Sequence, residues 1–199
     1  MGIGRAVVLH GFGGTPASVA PLVDALGASG FEVQAPCLPG HGTTPADLAS
    51  VTWEELTAAV AGVVADGVVV VGQSLGGALA CWAATRYDLA GVAVANPLVA
   101  PDAELVDYLG MLLDAGETML PAGEPDLADP EAHEEAYAEL PIATLRSVQQ
   151  GIVTLQPDLA RVTCPFLVAT SRHDHVVDPA ASDHLAATVG GSVERLTLA

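Results

Sequence analysis

Lysine is absent from this chain. All six basic side chains are arginines, set against 24 acids, and the formal net charge over 199 residues is -18. A protein that tracks a phosphate backbone needs a basic face, so this balance argues against a nucleic-acid binder. It argues equally against docking on anionic lipid. Two readings of the acid excess stand. One is solubility in concentrated salt, where screening weakens self-repulsion. The other is a GC-rich genome, although that bias depletes Lys while enriching Arg, and Arg is scarce here.

Cysteine is nearly as sparse. Cys37, Cys81 and Cys164 are far apart, with neither a zinc-site spacing nor a redox CxxC. Cys81 and Cys164 sit in apolar runs and read as small core residues. A reducing, cytoplasmic compartment is the simplest expectation. No secretory leader is visible, since the apolar run after Arg5 is short and strand-like. Gly67 to Thr85 carries no charge and is long enough to suggest a membrane span. Its polar, glycine-rich centre fits a buried strand, a tight turn and a buried helix better. Internal repeats, low-complexity tracts and long linkers are also missing. Hydrophobic residues make up 51% of the chain and charged residues 15%, which excludes disorder and leaves one substantial domain.

Short β-branched runs alternate with amphipathic stretches. Ala6–Leu9, Phe31–Ala35, Val68–Val71, Val92–Ala95, Phe166–Ala169 and Val193–Leu198 read as strands. Four consecutive valines, Val68–Val71, mark a strand buried on both faces. Helices are expected over Ser18–Ala28, Thr52–Val64, Leu75–Arg86 and Pro179–Val189. The first carries Val19, Leu22, Val23 and Leu26 on one face, and the second opens with a Thr52–Glu55 capping box. The alternation predicts an α/β fold with a mostly parallel sheet and helices on both faces.

The middle breaks this rhythm. Between Asn96 and Thr163 the pattern predicts three helical stretches, Asp102–Ala115, Pro130–Glu139 and Ile142–Ile152, and no strand. Such an acid-rich insertion between two strands reads as a helical cap over 96–163, with the core formed by 1–95 and 164–199. Met111, Leu112 and Met119 are its candidates for lining an acyl pocket.

Three segments carry chemistry. Gly72-Gln73-Ser74-Leu75-Gly76 is a G-x-S-x-G pentapeptide that follows a buried strand and opens a helix, the context a nucleophile elbow requires. Gly72 and Gly76 allow close approach, and Ser74 projects above the sheet edge where open α/β folds bind ligands. His10-Gly11-Phe12-Gly13-Gly14 directly follows the first strand. Its glycines let the backbone turn an N–H toward a substrate oxygen, and the Phe12 and Leu75 amides form a natural oxyanion hole. His10, and His41 in Pro39-Gly40-His41-Gly42, read as structural hydrogen-bonding residues. Finally, Ser171-Arg172-His173-Asp174-His175 follows a strand at the place of a triad acid, and Asp174 takes that role. Asp178 before Pro179 reads as a helix N-cap. The spacing of His173, His175 and His184 fits no defined zinc motif, so neither metal nor cofactor is expected.

Together these segments resemble the α/β-hydrolase superfamily, and within it the small bacterial carboxylesterases and monoacylglycerol lipases with a compact helical cap. The resemblance implies Ser74 as nucleophile, Asp174 as acid, and the Phe12 and Leu75 amides as oxyanion donors. It implies hydrolysis of short or medium acyl esters through an acyl-enzyme, with a small neutral ester as partner. In the family the base histidine lies beyond the final strand and a helix follows. Here the last predicted strand ends at Leu198, so that histidine and helix are expected beyond Ala199, and without the helix part of a sheet face lies uncovered and favours self-association. Two other readings are a hydrolase fold used for binding alone, and the same triad acting on a thioester, lactone or peptide. A dehalogenase fits less well, because its nucleophile is a carboxylate and position 74 is Ser.

Overall fold

The computed structural model describes residues 4–123, 127, 131 and 135–198. The first half of the chain forms strand β1 (Gly4–Leu9), helix α1 (Ala20–Ala28), β2 (Phe31–Gln34), the short α2 (Pro45–Leu48), α3 (Trp53–Ala61), β3 (Val69–Gln73), α4 (Leu75–Ala84) and β4 (Gly91–Ala95). The second half adds α5 (Ala103–Asp114), β5 (Met119–Pro121), β6 (Glu139–Pro141), α6 (Ile142–Leu155), β7 (Phe166–Ser171), α7 (Ala180–Thr188) and β8 (Val193–Leu198). The main sheet has the order β2-β1-β3-β4-β7-β8, and every pair in it is parallel.

The register explains the two sides of this sheet. Val7 pairs with Val70, Val70 with Val92, and Val92 with Phe166, so these side chains share one face. They join the large core cluster with Leu56 of α3, Leu79 of α4, Ile152 of α6 and Leu185 of α7. Val8 and Val71 point the other way and form a smaller cluster with Val19, against which Val23 and Leu26 of α1 pack. Leu22, expected on that buried face, is 41% exposed, because α1 meets the sheet along a narrower stripe. A 3₁₀ turn over Pro16–Val19, capped by Thr15, replaces the predicted first turn of the helix. The Thr52–Glu55 capping box forms in full at α3. Cys81 is buried, Cys164 is half-buried against the core and Cys37 is exposed; all three are free thiols.

The segment between β4 and β7 departs from expectation. It contains a two-stranded antiparallel hairpin, with Leu120 opposite Leu140, where no strand was predicted. Each strand has three residues and one ends in Pro121, so no alternating pattern exists to be read. Part of the predicted helix Pro130–Glu139 lies outside the described residues, and none of its described residues is helical: 135–138 run without regular structure into β6, which begins at Glu139. Helix α6 runs on past Ile152 to Leu155 and continues as a 3₁₀ turn to Arg161. At the edge of the sheet next to β7, β8 is exposed from Glu194 to Thr197, with Leu196 50% exposed. No helix among the described residues is long and apolar enough to cross a membrane.

Candidate active site

The sharp turn between β3 and α4 is imposed by glycine. A Cβ on Gly72 would lie 2.1 Å from the Gly76 carbonyl oxygen, and one on Gly76 would lie 2.1 Å from that of Leu9. On Gly77 it would come within 2.8 Å of Pro97. Backbone sits where side chains would be, so strand, helix and neighbouring strand approach closer than any other residue allows. Ser74, at the apex, adopts φ 51° and ψ -115°, a region non-glycine residues rarely enter. Its N–H donates to the Ala95 carbonyl at 3.0 Å, and its own carbonyl accepts from Gly77, Ala78 and Leu98. The turn is therefore pinned to both α4 and the chain leaving β4. The side chain makes no hydrogen bond at the helix start.

The loop after β1 lies against this apex. A Cβ on Gly11 would stand 3.6 Å from the Ser74 Cβ, and Gly13 takes φ +73°. The Gly14 N–H closes the loop onto the Gly11 carbonyl at 3.3 Å. Among the described residues, neither the Phe12 N–H nor the Leu75 N–H has an acceptor. For Leu75 the reason is general, since the first amides of a helix have no intrahelical partner. The partial positive charge of the α4 N-terminus falls at the same place.

Two buried histidines support the loop from below. The Leu38 N–H donates to His10 Nε2 at 3.1 Å, so the proton sits on Nδ1 and is donated to the Gly11 carbonyl at 2.9 Å. Both ring nitrogens are thereby occupied, as a structural role requires. Burial is the largest cause holding the His10 pKa down to about 4, with a smaller push from His41 against the Gly11 hydrogen bond. His41 donates Nδ1–H to the Pro39 carbonyl at 2.9 Å, and burial lowers its pKa too. Its ring meets those of His10, Phe12 and Tyr137 at centroid distances of 5.0, 5.9 and 6.4 Å. His10 thus has no ring nitrogen left to accept a proton, whereas among the described residues only Nδ1 of His41 is bonded.

Asp174 follows β7, two strands away from Ser74 in the sheet order. Its Oδ1 accepts from the Val176 and Val177 amides at 2.8 and 2.7 Å, which folds the loop around the carboxylate. No described residue bonds Oδ2. Asp178 Oδ1 accepts from Ala180 N–H at 2.9 Å, serving the start of α7 as expected. His173 and His175 flank Asp174 and are exposed. His184 donates Nε2–H to Gln156 at 2.8 Å, and His133 lies outside the described residues. No group of His, Cys, Asp or Glu among the described residues could hold a metal ion.

Two residues of this region were not anticipated. Asn96, at φ 44°, donates Nδ2–H to Ser171 Oγ at 3.0 Å and accepts from the Ser171 amide at 2.8 Å. It ties the ends of β4 and β7, and so fixes how the serine and acid loops sit relative to each other. The Asn96-Pro97 dipeptide after a strand was the available signal. The other is Tyr137, which no local pattern marks. Of the three pocket candidates, Met111 is 70% exposed on α5, so its side chain encloses no cavity, while Leu112 and Met119 are half-buried.

The model of the alpha/beta hydrolase family matches residues 6–197 of the sequence. The chain belongs to the alpha/beta hydrolase family. This α/β-hydrolase is 32% identical over 190 residues to the thermostable monoacylglycerol lipase of Bacillus sp. (strain H-257), spanning 89% of this chain and 73% of that one. It is 27% identical over 183 residues to the carboxylesterase of Bacillus subtilis (strain 168), spanning 86% and 72%. A solved structure from work on LipS and LipT, two metagenome-derived lipolytic enzymes, superposes with a TM-score of 0.91 at 30% identity, covering 99% of this α/β-hydrolase and 84% of that chain.

Proposed function

We propose that this α/β-hydrolase is a serine carboxylesterase that cleaves short and medium acyl esters, monoacylglycerols among them. One observation carries the reading: Ser74 sits in a strained turn against the Gly11 loop, and the amides that follow each, Leu75 and Phe12, have no acceptor of their own among the described residues. The lipase and carboxylesterase names of its relatives support the same chemistry.

In this reading Ser74 Oγ attacks the ester carbonyl while a histidine takes its proton. The carbonyl oxygen becomes an oxyanion and accepts from the Phe12 and Leu75 N–H groups. Collapse expels the alcohol, which leaves with the proton from the histidine, and the acyl group stays on Ser74. Water, activated by the same histidine, then releases the acid. Asp174 keeps Oδ1 for its own loop and turns Oδ2 to the imidazole. Adjacent strands are spaced about 4.8 Å, so β3 and β7 stand about 10 Å apart. Two hydrogen bonds with an imidazole between them span roughly 8 Å, which suits that gap.

We place the base in chain that follows β8. His10 has both ring nitrogens bonded, His41 is buried among the rings of His10, Phe12 and Tyr137 with Nδ1 on Pro39, and His173 and His175, as sequence neighbours of Asp174, are poorly set to reach it in triad geometry. The insertion between β4 and β7 acts as the cap that shapes the acyl side. A net charge of -18 favours neutral esters over anionic ones. The free thiols fit a cytoplasmic setting.

Hydrolysis of p-nitrophenyl esters from acetate to laurate tests this, with Ser74→Ala as control. The 199-residue chain should show weak, Ser74-dependent turnover, and a histidine-bearing extension after β8 should raise it by orders of magnitude, since loss of a triad histidine costs on the order of 10⁶ in kcat. Turnover indifferent to Ser74→Ala, or no gain from the extension, would sink the proposal and favour a binding role for the fold.

A further inference from the structure

Tyr137 stands just before β6, in the segment inserted between β4 and β7, yet its contacts lie with two distant loops. Its N–H donates to the Gly13 carbonyl at 3.0 Å, so it is bonded directly to the loop that carries the Phe12 amide. Its hydroxyl donates to the Gly40 carbonyl at 2.8 Å and accepts from the Thr43 amide at 2.9 Å. Its ring lies nearly parallel to that of His41, at 13° between planes, and the edge of His41 in turn meets Phe12. Leu140, three residues on, fills the space above Gly13, where a Cβ would come within 3.0 Å of it.

The His41 ring is buried and, among the described residues, its Nε2 has no partner. Among those residues a single hydrogen bond orients this imidazole, from Nδ1 to Pro39. Its position is therefore set largely by the rings around it, those of His10, Phe12 and Tyr137. Displacing the tyrosine frees the layer on which Phe12 rests.

We infer that Tyr137 is a positioning residue for the oxyanion hole: it latches the inserted segment onto the Gly11–Gly14 loop and, through His41, sets the orientation of the Phe12 amide. This rests on the proposed role of that amide in ester hydrolysis. The hole and the insertion then form one mechanical unit, and Tyr137 is the point of coupling.

Tyr137→Phe tests the latch, because it keeps the ring stack and deletes both hydroxyl hydrogen bonds. Amide hydrogen exchange in the 199-residue chain should speed up about ten-fold at Gly14 and at residue 137, whose N–H groups bond to Gly11 and Gly13, the range set by one or two net hydrogen bonds. Tyr137→Leu, which also removes the stack, should exceed that. Tyr108→Phe, at a 52% exposed position on α5, should change nothing. In ester hydrolysis kcat should fall about ten-fold with KM unchanged, the pattern of an interaction made only in the transition state. Unaltered exchange at Gly14 and at residue 137 overturns the inference, as does a change confined to KM. If a fluorophosphonate fails to label Ser74 even when the chain carries the histidine-bearing extension after β8, the serine-hydrolase reading fails instead, and the exchange data still decide the role of Tyr137.

Discussion

Replacing Ser74 by glycine should make this protein more stable while abolishing the proposed ester hydrolysis. Ser74 holds φ 51° and ψ -115°. That lies outside even the small left-handed well open to L-residues, and such strain costs on the order of 1–3 kcal/mol. Glycine enters the region freely but adds entropy to the unfolded chain, which offsets roughly 0.5–1 kcal/mol. The hydroxyl makes no cap hydrogen bond, so its removal is neutral in the fold. Ser74→Ala therefore keeps the strain, and Ser74→Gly sheds it, for a difference of about 1 kcal/mol. For a domain of this size that raises Tm by about 2–4 °C. Urea titration and thermal unfolding of wild type and both variants, with equal m-values, provide the comparison. A Ser74→Gly protein no more stable than Ser74→Ala would refute the claim that the elbow stores backbone strain.

Further outcomes follow from the same geometry. Gly76→Ala should fail to fold or unfold far below wild type, because its Cβ would press within 2.1 Å of a backbone oxygen that has nowhere to move. Gly27→Ala, in α1 with nothing within 4 Å, should instead gain about 0.5–1 kcal/mol by helix propensity, read from urea midpoints. His10 has its folded pKa lowered from 6.5 to about 4, so the unfolded chain binds the proton first. Its contribution is complete above pH 6.5 and is lost as pH falls toward 4, amounting to about 3 kcal/mol. His10→Gln should flatten that part of the stability–pH curve, and an unchanged slope between pH 6.5 and 4 contradicts the assignment.

Much of this architecture is visible in the chain itself because the signals are local. Val68–Val71 followed by GQSLGG specifies a buried strand, a forced turn and a helix within a dozen residues, and the structure places β3, Ser74 and α4 there. The Thr52–Glu55 box marks its helix start through contacts three residues apart. What escaped has a different physical origin. The β5–β6 hairpin is too short to show a period, and its pairing joins Met119 to Pro141 across the insertion. Met111 and Leu109 are both apolar on α5, yet one is 70% exposed and the other fully buried. Only the position of α6 decides which face of α5 is covered.

The sequence alone determined the residue types that chemistry needs and the backbone that presents them: a serine between glycines, a glycine loop after β1, an aspartate after β7. Tertiary structure decided how those pieces meet. His10 reaches Leu38 across 28 residues, Asn96 reaches Ser171 across 75, and Tyr137 reaches Gly40 across 97. Such bonds leave no periodic or spacing signal. They exist because the parallel sheet brings the C-terminal ends of its strands to one edge, and partners there are chosen by space rather than by distance along the chain.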